Sequence, residues 1–251
     1  MTAVRLPGPG AVSPAGLGAE VLRPVRGHHA FEACVEQLGT AIRLGVYPRG
    51  SMLPAERELA QRLQVSRATL REAMAALRQA GLVETRRGRG GGSEVLLRPR
   101  LAMRTTARHA SERRGDWLDA LDHRRIVEPG AAALAATRDL DDAQRWRLTQ
   151  AHDAVRAARR PAAHRQADSR LHLTIAALTG SPRVIEAVTT AQASVHEMLN
   201  LIPVLENNID HSDRQHEWIV SAVLAGDAAR ARRAMEQHCD DTAGLLCGLL
   251  A

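Results

Sequence analysis

Residues 53–83 read LPAERELAQRLQVSRATLREAMAALRQAGLV. Their spacing predicts two helices joined by a tight turn. Pro54 suits the opening of the first, where its fixed φ and missing N–H cost nothing. Leu59 and Leu63 stand one turn apart and form an inward face. Gln64-Val65 breaks the period. Ser66 is a natural N-cap, because its hydroxyl accepts an otherwise orphan backbone N–H. Leu70, Met74 and Leu77 recur at helical spacing, and Gly81 follows as a C-terminal stop. Arg67 and Arg71 lie four apart, on one face of the second helix near its start. A short helix, a turn and a second helix with a basic N-terminal end is the outline of a helix-turn-helix.

The flanks extend this unit. Phe31, Val35, Leu38 and Ile42 predict a preceding helix on one apolar stripe, ended by Gly45. After Gly81, Leu82 to Thr85 read as a strand, 86–92 as a basic, glycine-rich tip, and Ser93 to Leu97 as a return strand. Together these make a β-hairpin wing. Residues 1–29 are rich in Gly, Pro and Ala and read as a disordered tail. The first unit then spans 30–97, a polar and basic linker 98–115, and a second unit 116–251. The second unit reads as helices at about 116–136, 141–160, 163–179, 182–199, 209–225 and 228–248. Connections this short imply an antiparallel bundle. Pro129 falls inside the first of these helices, where it should kink or locally break it. The expected fold is mostly α: a winged helix-turn-helix with a small β-hairpin, then an all-α bundle.

Composition agrees. The chain has 251 residues, room for two domains, and only 2% aromatics. Its apolar content is mainly Ala and Leu, which favours helix. All 34 basic residues are Arg. Residues 1–100 carry 15 Arg against 8 acids (+7), whereas 101–251 carry 19 Arg against 20 acids (−1). An excess confined to the helix-turn-helix half suits a polyanion; a generally basic protein is the alternative. Cys34, Cys239 and Cys247 lack CxxC spacing and fit buried thiols in a reducing cytoplasm. No apolar run approaches a membrane span, so no membrane partner is expected.

Four residues of the second unit invite a metal reading. Asp168 and His172 share a helix face. His216 lies ten residues before Gly226 and His238 eleven after Asp227. In an antiparallel hairpin turning at 226–227, those two stand at nearly the same height. An Asp with three His suits a divalent Zn, Ni, Mn or Fe ion. With 11 His in the chain, ordinary core or surface histidines are the competing reading.

The first unit resembles the N-terminal winged helix of GntR-family bacterial transcription regulators. The resemblance rests on Gly50, 53–60, Val65-Ser66-Arg67, 69–73, Leu77, 81–83 and the 88–90 tip. It implies a double-stranded DNA operator as partner, met by Arg57, Arg67 and Arg71, by Ser66, Ala68 and Thr69 at the start of the recognition helix, and by Arg87, Gly88 and Arg89 in the wing. The chemistry agrees: Arg holds a guanine edge through two hydrogen bonds, a pair contributing roughly 1–3 kcal/mol of discrimination. Gln64 departs from the usual Gly of the turn; if left-handed, it costs on the order of 1 kcal/mol.

From about Leu121 the chain is similar to the helical ligand-binding (FCD) domain of the FadR-type branch. The matching stretches are 124–129, 135–138, 168–172 and the His216…Gly226-Asp227…His238 pattern. That resemblance implies Asp168, His172, His216 and His238 as metal ligands and a small effector, carboxylate in type, beside the metal. Arg124 would clamp the carboxylate, unless it pairs with Glu128 four residues on; Gln192 and His196 would line the cavity. The expected function is a cytoplasmic, homodimeric, metabolite-responsive repressor on a pseudo-palindromic operator. Two alternatives stand beside it: a metal-dependent enzyme fused to a DNA-binding domain, and a regulator whose metal is purely structural. HExxH is absent, since Val220 follows where a second His would stand.

Overall fold

The computed structural model describes residues 15–25, 30–86, 92–96, 114–200 and 206–250. The expected linker at 98–115 therefore lies almost wholly outside the described residues, as do Arg87, Gly88 and Arg89.

The helix-turn-helix forms where its spacing places it. Helix α2 (Ala30–Arg43) precedes α3 (Glu56–Leu63) and α4 (Arg67–Gln79). Leu38, Ile42, Leu59, Leu63, Leu70, Met74 and Leu77 are all buried. On α2 the buried stripe is Cys34, Leu38, Ala41 and Ile42; Phe31, expected inside, is exposed. Ser66 caps α4 by accepting from Thr69 N at 3.0 Å. Gln64 ends α3 with φ 54 and ψ 43, the single left-handed non-glycine among the described residues. Strands β1 (Val83–Arg86) and β2 (Gly92–Val95) pair antiparallel, with Val83 opposite Val95 and Arg86 opposite Gly92. Val83 and Val95 are the inward ends of this ribbon, and both are buried.

Six helices follow: α5 (Arg114–Ala136), α6 (Asp142–Ala157), α7 (Pro161–Leu178), α8 (Pro182–Leu199), α9 (Glu206–Leu224) and α10 (Ala228–Leu250). Their ends are locally encoded. Asp141 and Gln144 form a capping box. Pro161 and Pro182 occupy first-turn positions, and Ser181 caps α8. Gly180 and Gly226 take positive φ between helices. Helix α5 runs through Pro129 without interruption. It packs along α8 and α10, α6 lies on α7, and α9 pairs with α10. No described helix is long and apolar enough to cross a membrane.

The expectation of a disordered 1–29 tail fails for residues 15–25. Helix α1 (Ala15–Val21) forms there. Seven residues make a helix too short to persist alone, so tertiary contacts hold it. Val21 and Leu22 are buried in an apolar core that runs from α2–α4 to Leu173, Ala176, Ile185 and Val188 of the bundle. Glu20 pairs with Arg147 at 3.2 Å, and Arg23 with Glu186. Gln166 of α7 donates to the carbonyl of Arg43 at 3.2 Å. The winged helix thus sits directly against α7 and α8.

Candidate metal centre and nucleic-acid face

Asp168 and His172 project from α7, His216 from α9 and His238 from α10. One ligand atom from each lies within 4.8 Å of all the others. The three imidazole centroids stand 4.6–5.5 Å apart, and each His is at most 2% exposed. His216 Nε2 is 3.2 Å from Asp168 Oδ1. Burial alone would raise the Asp168 carboxyl, but His216, then His172 and His238, hold it well below the usual carboxylate range. Burial, then His216 and Arg124, push His238 far below an ordinary imidazole. A neutral imidazole and an ionised carboxylate are the forms that ligate metal.

The surrounding shell orients these rings. His238 Nδ1 lies 3.1 Å from Gln215 Oε1, and Gln215 Nε2 donates to Asp241 Oδ2 at 2.6 Å. The carboxylate fixes the amide, so Gln215 presents its oxygen, Nδ1 carries the proton, and Nε2 of His238 keeps its lone pair. His172 Nδ1 stands 2.8 Å from Glu128 Oε2 without hydrogen-bond alignment. Both ring nitrogens of His172 and both of His216 are buried with no hydrogen-bond partner among the described residues. Buried polar nitrogens are costly to leave unsatisfied. A divalent cation supplies a partner for one nitrogen of each ring, so the residues fit such an ion.

Glu128 is the residue that sequence reasoning undervalued. It is 1% exposed. It accepts from Arg124 Nε at 3.1 Å and from Gln192 Nε2 at 2.6 Å, and Cys239 Sγ lies 3.8 Å away. Burial would raise its carboxyl, but Arg124, then His172 and Gln192, bring it down to about 2. Cys239 is pushed up to about 12 by burial. Arg124 therefore makes the ion pair that the i, i+4 spacing offered, while NH1 is buried with no hydrogen-bond partner among the described residues. Gln192 Oε1 and His196 Nδ1 are also buried with no hydrogen-bond partner among the described residues. Gln215, Asp241 and the buried His152, which burial pushes below an ordinary imidazole, were not singled out from the sequence either. Asp241, one turn beyond His238 and so on a neighbouring face, was the legible hint.

The other candidate residues lie on the helix-turn-helix. Arg57, Ser66, Arg67, Ala68 and Arg71 are exposed, and Thr69 is half-buried. Arg71 Nε lies 3.6 Å from Glu56, a surface pair that water screens and DNA can displace. Helix α4 begins at Arg67, and the unpaired backbone N–H groups of a helix's first turn favour phosphate.

A winged helix with an exposed basic recognition helix, set on an all-α bundle, defines a two-domain DNA-binding transcription regulator. The model for bacterial regulatory proteins of the gntR family matches residues 31–91, and that for the FCD domain matches 119–241. The chain is 31% identical over 221 residues to the Glc operon transcriptional activator of Escherichia coli (strain K12), covering 82% of this chain and 85% of that protein. It is 30% identical over 234 residues to the HTH-type transcriptional repressor NanR of Cronobacter sakazakii, covering 86% and 85%. The solved structure of E. coli McbR/YncC has a similar fold, with a TM-score of 0.52 at 15% identity over 88% of this chain and 99% of that one. The chain belongs to the GntR family, with a C-terminal FCD domain. That family consists of transcription regulators, which overturns the alternative of a metal-dependent enzyme.

Proposed function

We propose that this protein is a cytoplasmic, homodimeric repressor whose grip on a pseudo-palindromic operator responds to a small carboxylate held at a divalent metal in the bundle. The DNA-binding unit is 30–97 and the effector unit 116–251. The observation that carries the reading is the convergence of Asp168, His172, His216 and His238 from three helices, with unpartnered ring nitrogens in a buried site. These four residues hold the metal, which supplies a Lewis-acidic centre for a carboxylate oxygen. Arg124 NH1, Gln192 Oε1 and His196 Nδ1, each buried with no hydrogen-bond partner among the described residues, offer polar contacts to an effector at the cluster. Arg57, Arg67 and Arg71, with Ser66, Ala68 and Thr69 and the wing residues Arg87, Gly88 and Arg89, meet the operator. Two copies meet two half-sites, as dimeric helix-turn-helix proteins do. The effector acts by binding one arrangement of the DNA-binding units better than another.

The test uses purified full-length protein. His216→Ala combined with His238→Ala should remove bound metal by elemental analysis and abolish DNA release by an effector found in a thermal-shift screen of small carboxylic acids. Stoichiometric metal retained in the double variant overturns the assignment. Metal that is lost without any change in effector response would mean a structural ion only. Transcription in vitro from the bound promoter reads the sign: stimulation by the effector-free protein would refute repression.

A further inference from the structure

A cavity of about 290 Å3 lies between the winged helix and the bundle, away from the metal cluster. Its walls include Leu17 of α1, Val46 and Pro48 of the turn after α2, Trp146 and Arg147 of α6, and Arg170 of α7. That volume is close to the lower end of the roughly 300–1,000 Å3 typical of small-molecule sites. The lining is mainly apolar, and no acidic side chain belongs to it among the described residues. Trp146 is 62% exposed, the second most exposed of the large apolar side chains described.

Two arginines reach this cavity. Arg147 NH1 is engaged by Glu20 at 3.2 Å, while its Nε is buried with no hydrogen-bond partner among the described residues. Arg170 is half-buried, and no ion pair or side-chain hydrogen bond holds its guanidinium among the described residues. A partly desolvated guanidinium with no counter-charge among the described residues is a ready partner for an anion, and Arg matches a carboxylate through two parallel hydrogen bonds. Arg170 also stands apart from the metal ligands on its own helix. Asp168 and His172 share one face; a residue midway between them points about 200° from Asp168, to the opposite side.

We propose that this cavity is a second ligand site, taking a small carboxylate with an apolar chain or ring. The carboxylate pairs with Arg170, and the apolar part packs on Trp146, Leu17 and Pro48. Because Val46 and Pro48 come from the DNA-binding unit and the arginines from the bundle, an occupant favours the docked arrangement over an undocked one. Charge complementarity selects this occupant: among the described residues the lining offers Arg170 without an ion-pair partner beside apolar walls, and no carboxylate.

Isothermal titration calorimetry on the full-length protein tests the site with sodium octanoate and sodium phenylacetate, each beside its neutral amide. At least one acid should bind saturably, one per chain, and more tightly than its amide by about tenfold, or roughly 1.4 kcal/mol. Arg170→Gln should abolish that preference, and Ala154→Trp, which puts an indole into the cavity from a wall position on α6, should abolish binding. His216→Ala with His238→Ala should leave it intact. Should Ala154→Trp not fold, Arg170→Gln decides. The proposal is overturned if neither acid binds, if Arg170→Gln leaves the preference unchanged, or if only the His double variant loses binding, which would place the acid at the metal cluster.

Discussion

Glu128→Gln is the most informative single change. The carboxylate is 1% exposed and sits between Arg124, Gln192 and His172. At the observed 3.1 Å, with an effective dielectric of 20, the Glu128–Arg124 attraction is about 5 kcal/mol. The amide keeps the shape but removes the charge, so a guanidinium that is itself 1% exposed loses its counter-ion. Breaking a buried pair from one side costs about 3–5 kcal/mol, a large part of an ordinary domain's stability. Urea denaturation of the metal-free protein should show the midpoint falling accordingly. Replacing both members, Arg124→Met with Glu128→Leu, removes the stranded charge and should recover most of the loss. Since Glu128 also stands beside His172, Glu128→Gln should weaken zinc binding by about 10–100-fold. A loss below about 1 kcal/mol in the single variant, or a double variant no more stable than the single, would refute the reasoning.

Three further outcomes are expected. Gln64→Gly should raise stability by about 0.5–1 kcal/mol, because glycine takes φ 54 without the Cβ clash; a lower melting temperature counts against it. His196 is held at about 4 by burial, reinforced by Arg165 and Arg43 and opposed by Asp168. Below about pH 6.5 the unfolded chain takes up a proton that the folded one refuses, so stability should fall between about pH 6.5 and 4 by about 3 kcal/mol. Urea midpoints for His196→Asn should show a shallower decline over that range, and an identical decline argues against the assignment. Arg67→Ala and Arg71→Ala should each abolish specific operator binding in gel shifts while changing stability by under about 0.5 kcal/mol; unchanged affinity in both would remove them from the DNA face.

Much of this molecule is written in local spacing. The helix-turn-helix follows from the Leu59/Leu63 and Leu70/Met74/Leu77 periods, the Ser66 cap and the Gly81 stop, because helix faces and helix ends are set within a few residues of chain. The bundle's boundaries follow from Asp141, Pro161, Ser181-Pro182 and Gly226-Asp227 for the same reason. Even the meeting of His216 with His238 is countable, since one tight turn sets their relative height. What the tertiary structure alone decided involves residues far apart in sequence. Spacing pairs Glu128 with Arg124, but only packing of α5 against α7, α8 and α10 brings it to His172, Gln192 and Cys239. Helix α1 has too few residues to announce itself and exists through Val21, Leu22 and Glu20 meeting distant partners. The cavity beside Trp146 and Arg170 arises only because the winged helix rests on the bundle, and no periodicity in either unit encodes that contact.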